Sequence, residues 1–297
     1  MFVAPGRETF FAFPSEILGN KYTLTVFLPT QIAPISQHYP VVYFVGLDRS
    51  DREAFQRFAQ QHKVFLVGLS IPEEDFLALA EKLAQFVEQE LIPYIDTNYA
   101  TVAYPSGRVL AAMGEKATKA VLPLANKEYF GALSLQSPGK AINKMGETLP
   151  KRVFIMGSQE ELAAASAILE SAGAVYGSQY AFEYAPFETD WLKGLNLTYL
   201  FASPEEVKVK KLNLKTGVKS LSVQAGKSLS LQVYATLANG LKTVLVPSFV
   251  RTSPPYLDWQ PSLGMLRVRS GAEPGSIKLT VHVDNVENTT EILLKKQ

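Results

Sequence analysis

RVLAAMGEKATKA, residues 108–120, runs from a short apolar segment through one glycine into a stretch of helix formers. That order predicts a strand, a sharp turn and a helix. The turn holds no serine, cysteine or aspartate between Leu110 and Ala117. Whatever this corner does, an ordinary side-chain nucleophile at its tip does not do it.

Outward from this corner, short apolar runs alternate with amphipathic stretches up to about Ala202. PVVYFVG (Pro40–Gly46) and KVFLVGLS (Lys63–Ser70) are almost continuously apolar, as strands covered on both faces are. RVLAA (Arg108–Ala112), GALSL (Gly131–Leu135) and RVFIMG (Arg152–Gly157) extend the series. Between them, SDREAFQRFAQQH places Ala54, Phe55, Phe58 and Ala59 on one helical face. PEEDFLALAEKLAQFVEQELIPYI opens with proline and three acids, which suit a helix N-terminus. SQEELAAASAILESAG reads as a further helix closed by Gly173. Strands alternating with helices predict a mainly parallel sheet.

From about Ser203 the rhythm changes. SPEEVKVKK reads as a charged linker, followed by KSLSVQAG, SLSLQVYATLANG, TVLVPSFVRT, GMLRVRSG and SIKLTVHVDN. These alternating runs, broken by Gly, Asn and Pro, predict an antiparallel sandwich of about 90 residues. The expected division is therefore an α/β domain over 1–203 and an all-β domain over 204–297.

Composition narrows the chemistry. The 297 residues have no cysteine, which removes disulfides, thiolate metal sites and cysteine nucleophiles. Net charge is +1, with 29 Lys and Arg against 28 Asp and Glu, so no overall basic surplus points to nucleic acid or anionic membranes. His38, His62 and His282 are the whole histidine supply, and their scatter argues against a metal site. No phosphate-cradling glycine loop occurs, and no cofactor is expected. No apolar run reaches the roughly 20 residues of a membrane span. The start, MFVAPGRETFF, lacks the order of a signal peptide, so the expectation is a protein inside the cell or one written from after a removed signal.

The segments TVFLP, YPVVYFV, ELIPYIDTNYAT (Glu90–Thr101) and YFGALSLQSP (Tyr129–Pro138) stand in an order that resembles the enterochelin esterase and esterase D-like branch of the α/β-hydrolases. That branch also includes feruloyl and acetyl-xylan esterases and mycolyltransferases. The resemblance covers about two-thirds of the chain. It implies an α/β-hydrolase-like domain whose nucleophilic serine sits in G-x-S-x-G on a strand-turn-helix elbow.

Carried onto this sequence, the elbow is LAAMGEKA, and the alignment slides so that Ala112, Met113 or Gly114 takes the serine's place. Ser106 lies at the opposite end of the strand. In the resembled family the catalytic histidine precedes a tryptophan-bearing helix. Here YAPFETDWLKGL carries that context with Pro186 or Phe187 at the histidine position. Glu160 or Glu161 stands where the family's acid orients the histidine, but without a histidine it has nothing to orient, and an acid in the first turn of a helix is the better reading. The oxyanion loop is Gly46-Leu47-Asp48, where the family has His-Gly. Because triad members act as a unit, losing nucleophile and base together implies a pseudoenzyme.

Other residues admit two readings. Asp48, Arg49, Asp51 and Arg52 follow the first core strand at the ligand-binding edge of an α/β sheet, or simply cap a helix. Glu115 and Lys116 pair with each other or fill the old pocket. Tyr256 and Trp259 form an aromatic strip for a glycan or protein partner, or Trp259 anchors the sandwich core. LSVQAGKSLSLQVYATLANG, the central tryptophan and EPGSIKLTVHV resemble bacterial Ig-like domains of surface adhesins, which implies an extracytoplasmic location. The expected function is a catalytically inactive esterase-like component of an envelope or surface assembly, with protein partners or self-assembly. The alternatives are an unconventional carboxylesterase on acylated glycans and a carbohydrate-binding protein using the degenerate cleft.

Overall fold

The computed structural model of the protein describes residues 9–29, 37–45, 52–71, 76–125, 128–145, 150–185, 192, 195–203 and 205–296. Packing divides the chain into two units, Met1–Phe154 with Thr189–Phe201, and Ile155–Glu188 with Ala202–Gln297.

The first unit is built on strands β1 (Thr9–Ser15), β2 (Asn20–Phe27), β3 (Val41–Val45), β4 (Phe65–Ser70), β5 (Arg108–Met113) and β6 (Ala132–Gln136). Their order in the sheet is β1-β2-β4-β3-β5-β6. The two outer pairings, β1 with β2 and β2 with β4, are antiparallel, and the rest are parallel. All five residues of β3 and of β6 are buried, which explains why they read as unbroken apolar runs.

Helix α1 (Arg52–His62) buries Phe55 and Ala59. The Phe55 ring stacks on Phe27 at 5.6 Å between centroids and meets Phe44 edge-on at 5.5 Å. Helix α2 (Phe76–Phe86) runs through one wide turn at Val87–Leu91 into α3 (Ile92–Asn98), and Pro93, which has no N–H to bond back, follows directly on that wide turn. Helix α4 (Gly114–Ala125) buries Ala117, Ala120, Val121 and Leu124.

The chain passes into the second unit within β7 (Arg152–Gly157) and continues through α5 (Gln159–Ser171) and β8 (Tyr180–Tyr184). The short helix α6 (Leu197–Leu200) belongs to the first unit again. Nine strands follow: β9 (Val209–Thr216), β10 (Ser220–Ser222), β11 (Ser228–Leu237), β12 (Lys242–Leu245), β13 (Arg251–Ser253), β14 (Leu257–Gln260), β15 (Met265–Val268), β16 (Gly275–Val283) and β17 (Val286–Lys295). One run of neighbours is β8-β12-β11-β15-β14, with β9 on the other flank of β11. The other sheet is β10-β17-β16-β13. Alternation along β11 buries Leu229, Leu231, Val233, Ala235 and Leu237, and β16 buries Ile277, Leu279 and Val281.

The fold class is therefore an α/β mixed sheet followed by an all-β region. One local expectation needs correction. SPEEVKVKK is not a linker: Glu205–Val207 form a helical turn and Val209 starts the eight-residue β9. Val207 and Val209 are buried, so spacing the lysines among valines serves a strand with one covered face. Among the described residues no helix is long and apolar enough to cross a membrane.

Candidate functional site

Strand β5 is paired on both sides, with Ala112 beside Val45 of β3 and Leu135 of β6, and Met113 beside Gln136. It ends at Met113, and the chain turns at once into α4. The residue that makes this turn is Gly114, at φ +81°, a left-handed conformation that costs other L-residues about 1–2 kcal/mol. Thr118 Oγ1 donates to the Gly114 carbonyl at 2.8 Å, tying the first turn of α4 to the corner. Ala112 is buried and Met113 half-buried. Among the described residues, no atom lies within 4 Å of a Cβ placed on Gly114.

The neighbouring strand β6 ends in a second unusual corner. Ser137 has φ +46° and Gly139 φ +55°. The Glu115 carboxylate fills the space beside Gly139, where a Cβ would lie 2.7 Å from Oε2. Glu115 Oε1 accepts from Lys119 Nζ at 2.6 Å, and the carboxylate also accepts from the backbone of Lys140. The Lys119 hydrogen bond holds the Glu115 carboxyl below the ordinary range against a smaller opposing effect of partial desolvation. Glu115 thus pairs with Lys119, one turn on, rather than with Lys116, which is exposed. The i, i+4 spacing was the available signal.

The opposite end of β5 is ionic and buried. Arg108 Nη2 donates to Asp96 Oδ2 at 2.5 Å, and Thr101 Oγ1 donates to Asp96 Oδ1 at 2.6 Å. Burial pushes the nearby Tyr43 phenol up. His38 and His62 precede β3 and β4, and Ser106 precedes β5. These three strands run parallel with Val41 beside Arg108, so all three side chains belong to the edge where the strands start. A six-residue strand separates that edge from Gly114 by about 20 Å.

The acid position lies in the second unit. Glu161 forms a capping box: its Oε2 accepts from Ser158 N at 2.7 Å, and Ser158 Oγ accepts from Glu161 N at 3.3 Å. Glu160 is exposed. Pro186 and Phe187, like Gly46, Leu47, Asp48, Arg49 and Asp51, lie outside the described residues. Arg52 sits over the Phe10 ring at 4.7 Å. Tyr256 and Trp259 are half-buried, and Trp259 Nε1 donates to the Pro247 carbonyl at 2.6 Å. Among the described residues no group of His, Asp and Glu side chains is placed to hold a metal ion.

No protein-family model matches the chain, and no curated protein matches it in sequence. Solved structures do match. The serine hydrolase FphF of Staphylococcus aureus, solved with substrate bound, superposes with a TM-score of 0.51 at 14% identity, over 67% of this chain and 100% of that one. The enterochelin esterase of Shigella flexneri matches with a TM-score of 0.49 at 14% identity, over 67% of this chain and 58% of that one. The S-formylglutathione hydrolase of Staphylococcus aureus matches with a TM-score of 0.48 at 14% identity, over 68% and 100%. The solved structures that this chain resembles are esterase-family serine hydrolases, and at 14% identity to FphF the likeness is one of fold.

Proposed function

We propose that the chain is a catalytically inactive protein on an esterase fold, serving as a structural or binding component of a bacterial envelope or surface assembly. The observation that carries this reading is Gly114. In the elbow of serine hydrolases the strained residue between strand and helix is the nucleophile. Here the left-handed residue after β5 is a glycine and has no atom with which to attack. Two of the three histidines stand at the far edge of the sheet, and the third, His282, is on β16 in the other unit. An assembly role outside the cytoplasm is supported by the Ig-like pattern of 204–297.

One observation favours a second reading, an unconventional carboxylesterase acting on acylated glycans. Ser137 is a non-glycine residue at φ +46°, half-exposed, at the end of the strand beside the elbow. Strained residues gather at functional sites. Fluorophosphonate labelling read by intact mass separates the two. The unmodified mass is expected, and a single adduct mapped to Ser137 would overturn the non-catalytic reading in favour of the second.

A further inference from the structure

The formal charge of +1 averages two opposite halves. Residues 204–297 carry 13 Lys and Arg against 7 Asp and Glu, whereas residues 1–203 carry 16 against 21. Strand register decides where the positive excess goes. Across the sheet of the second unit, Lys211 of β9 lies opposite Thr236 of β11, which lies opposite Lys242 of β12. Asn213, Tyr234 and Val244 form the next row in which side chains share this face, and Lys215 faces Gln232 in the row after. The opposite face of β11 is the buried one. Lys211, Lys215, Lys242, Tyr234 and Gln232 therefore stand together on the outer face.

This face is ordered by its own contacts. Lys215 Nζ lies 5.2 Å from the centroid of the Tyr234 ring, and Tyr234 Oη donates to Gln232 Oε1 at 3.0 Å. Among the described residues none of the three lysines makes an ion pair. Lysines on β9 alone would protect a sheet edge from pairing with other chains. Lys242 has no such explanation, because β12 is flanked by β8 and β11. Lys211 and Lys242 flank Thr236 at two strand spacings, about 10 Å, so the face presents a positive field to an approaching anion.

Beside the lysines a cleft of about 200 Å³ opens, whose lining brings Tyr184, Tyr234, Gln159, Gln232 and Ser230 together with aliphatic side chains such as Val244 and Leu263. Aromatic faces with neutral amides and a hydroxyl between them suit a sugar ring, whose faces are apolar and whose edge is hydroxylated. Lysine, a hydrated point charge, suits a carboxylate, whereas nucleic acid calls for forked arginines and a series of stacking rings.

We propose that the outer face of β9, β11 and β12 binds an acidic, uronate-bearing polysaccharide. One sugar ring sits against Tyr184 and Tyr234, and carboxylates along the chain meet Lys211, Lys215 and Lys242. This site belongs to the second unit and the elbow to the first, and the proposal does not depend on whether the chain is catalytic.

The test is binding of the full-length protein to immobilised oligogalacturonate, read by biolayer interferometry beside neutral galactan and a single-stranded oligonucleotide. Oligogalacturonate is expected to bind at least tenfold tighter than either. Binding should fall at least tenfold in the triple variant Lys211→Gln, Lys215→Gln, Lys242→Gln and at least fivefold in Tyr234→Ala, with melting temperatures checked for each. Raising the salt should also weaken it. Absence of binding to oligogalacturonate, or unchanged binding by the triple variant, would overturn the proposal. Unchanged binding by Tyr234→Ala would reduce the face to a nonspecific ion exchanger, and tighter binding of the oligonucleotide would make it a nucleic-acid surface; both outcomes refute it.

Discussion

Glu115 and Lys119 close an ion pair at 2.6 Å across the first turn of α4, directly after the left-handed glycine of the elbow. The chain's own carboxylate thus occupies the ground beside Gly139 and meets the backbone of Lys140. On that side of the elbow the chain holds a carboxylate already paired with its own lysine.

This pair carries a pH signature. The Lys119 hydrogen bond lowers the Glu115 carboxyl from its ordinary value of 4.5. A carboxyl lowered in the folded chain contributes stability that is fully present above the ordinary value and is lost as pH falls through the folded one. The difference in melting temperature between the natural protein and Glu115→Gln is expected to be constant from neutral pH down to about 5 and to vanish below the folded-state value. Thermal melts of both proteins across that range check it, and a difference that grows on acidification would contradict it.

Removing one partner of Arg108 and Asp96 is expected to be severe. Their side chains are only 8% and 18% exposed, so Asp96→Ala leaves a buried guanidinium without its counter-charge. The expected loss is about 3–5 kcal/mol in urea unfolding. The double variant Asp96→Leu, Arg108→Met should recover most of it, because apolar pairs of similar volume replace buried ion pairs at little cost.

Gly114→Ser tests the elbow directly. Among the described residues nothing lies within 4 Å of a Cβ there, so the expected cost is that of the left-handed backbone, about 1–2 kcal/mol by thermal unfolding. A serine there without a base is not activated, and fluorophosphonate should leave its mass unchanged.

Ser158→Ala should cost about 1 kcal/mol through loss of the N-cap of α5. Glu161→Ala should cost a comparable amount by removing the reciprocal half of the box. Urea unfolding of both variants checks this. A tenfold greater effect of Glu161→Ala on ligand binding than on stability would assign that residue a role beyond capping.

Much of the fold could be read before any coordinates. β3 and β4 are continuous apolar runs because neighbours cover both faces, and β11 alternates because one face is wet. The capping box was equally local, since Ser158 and Glu161 are three residues apart. The elbow was legible as a corner, yet its strained residue was not. A strand that is apolar throughout can slide by a residue without changing its pattern, so Ala112, Met113 and Gly114 stayed equivalent until φ separated them. The lysine face was hidden for a different reason. Lys211 and Lys242 are 31 positions apart, and only the pairing of both with Thr236 sets them on one surface.

The backbone enters and leaves its two units three times, at 154/155, 188/189 and 201/202. No single cut can therefore free two self-sufficient pieces. Ending the chain near residue 203 would also strip β12 from β8, leaving Tyr180–Tyr184 as a bare edge open to aggregation.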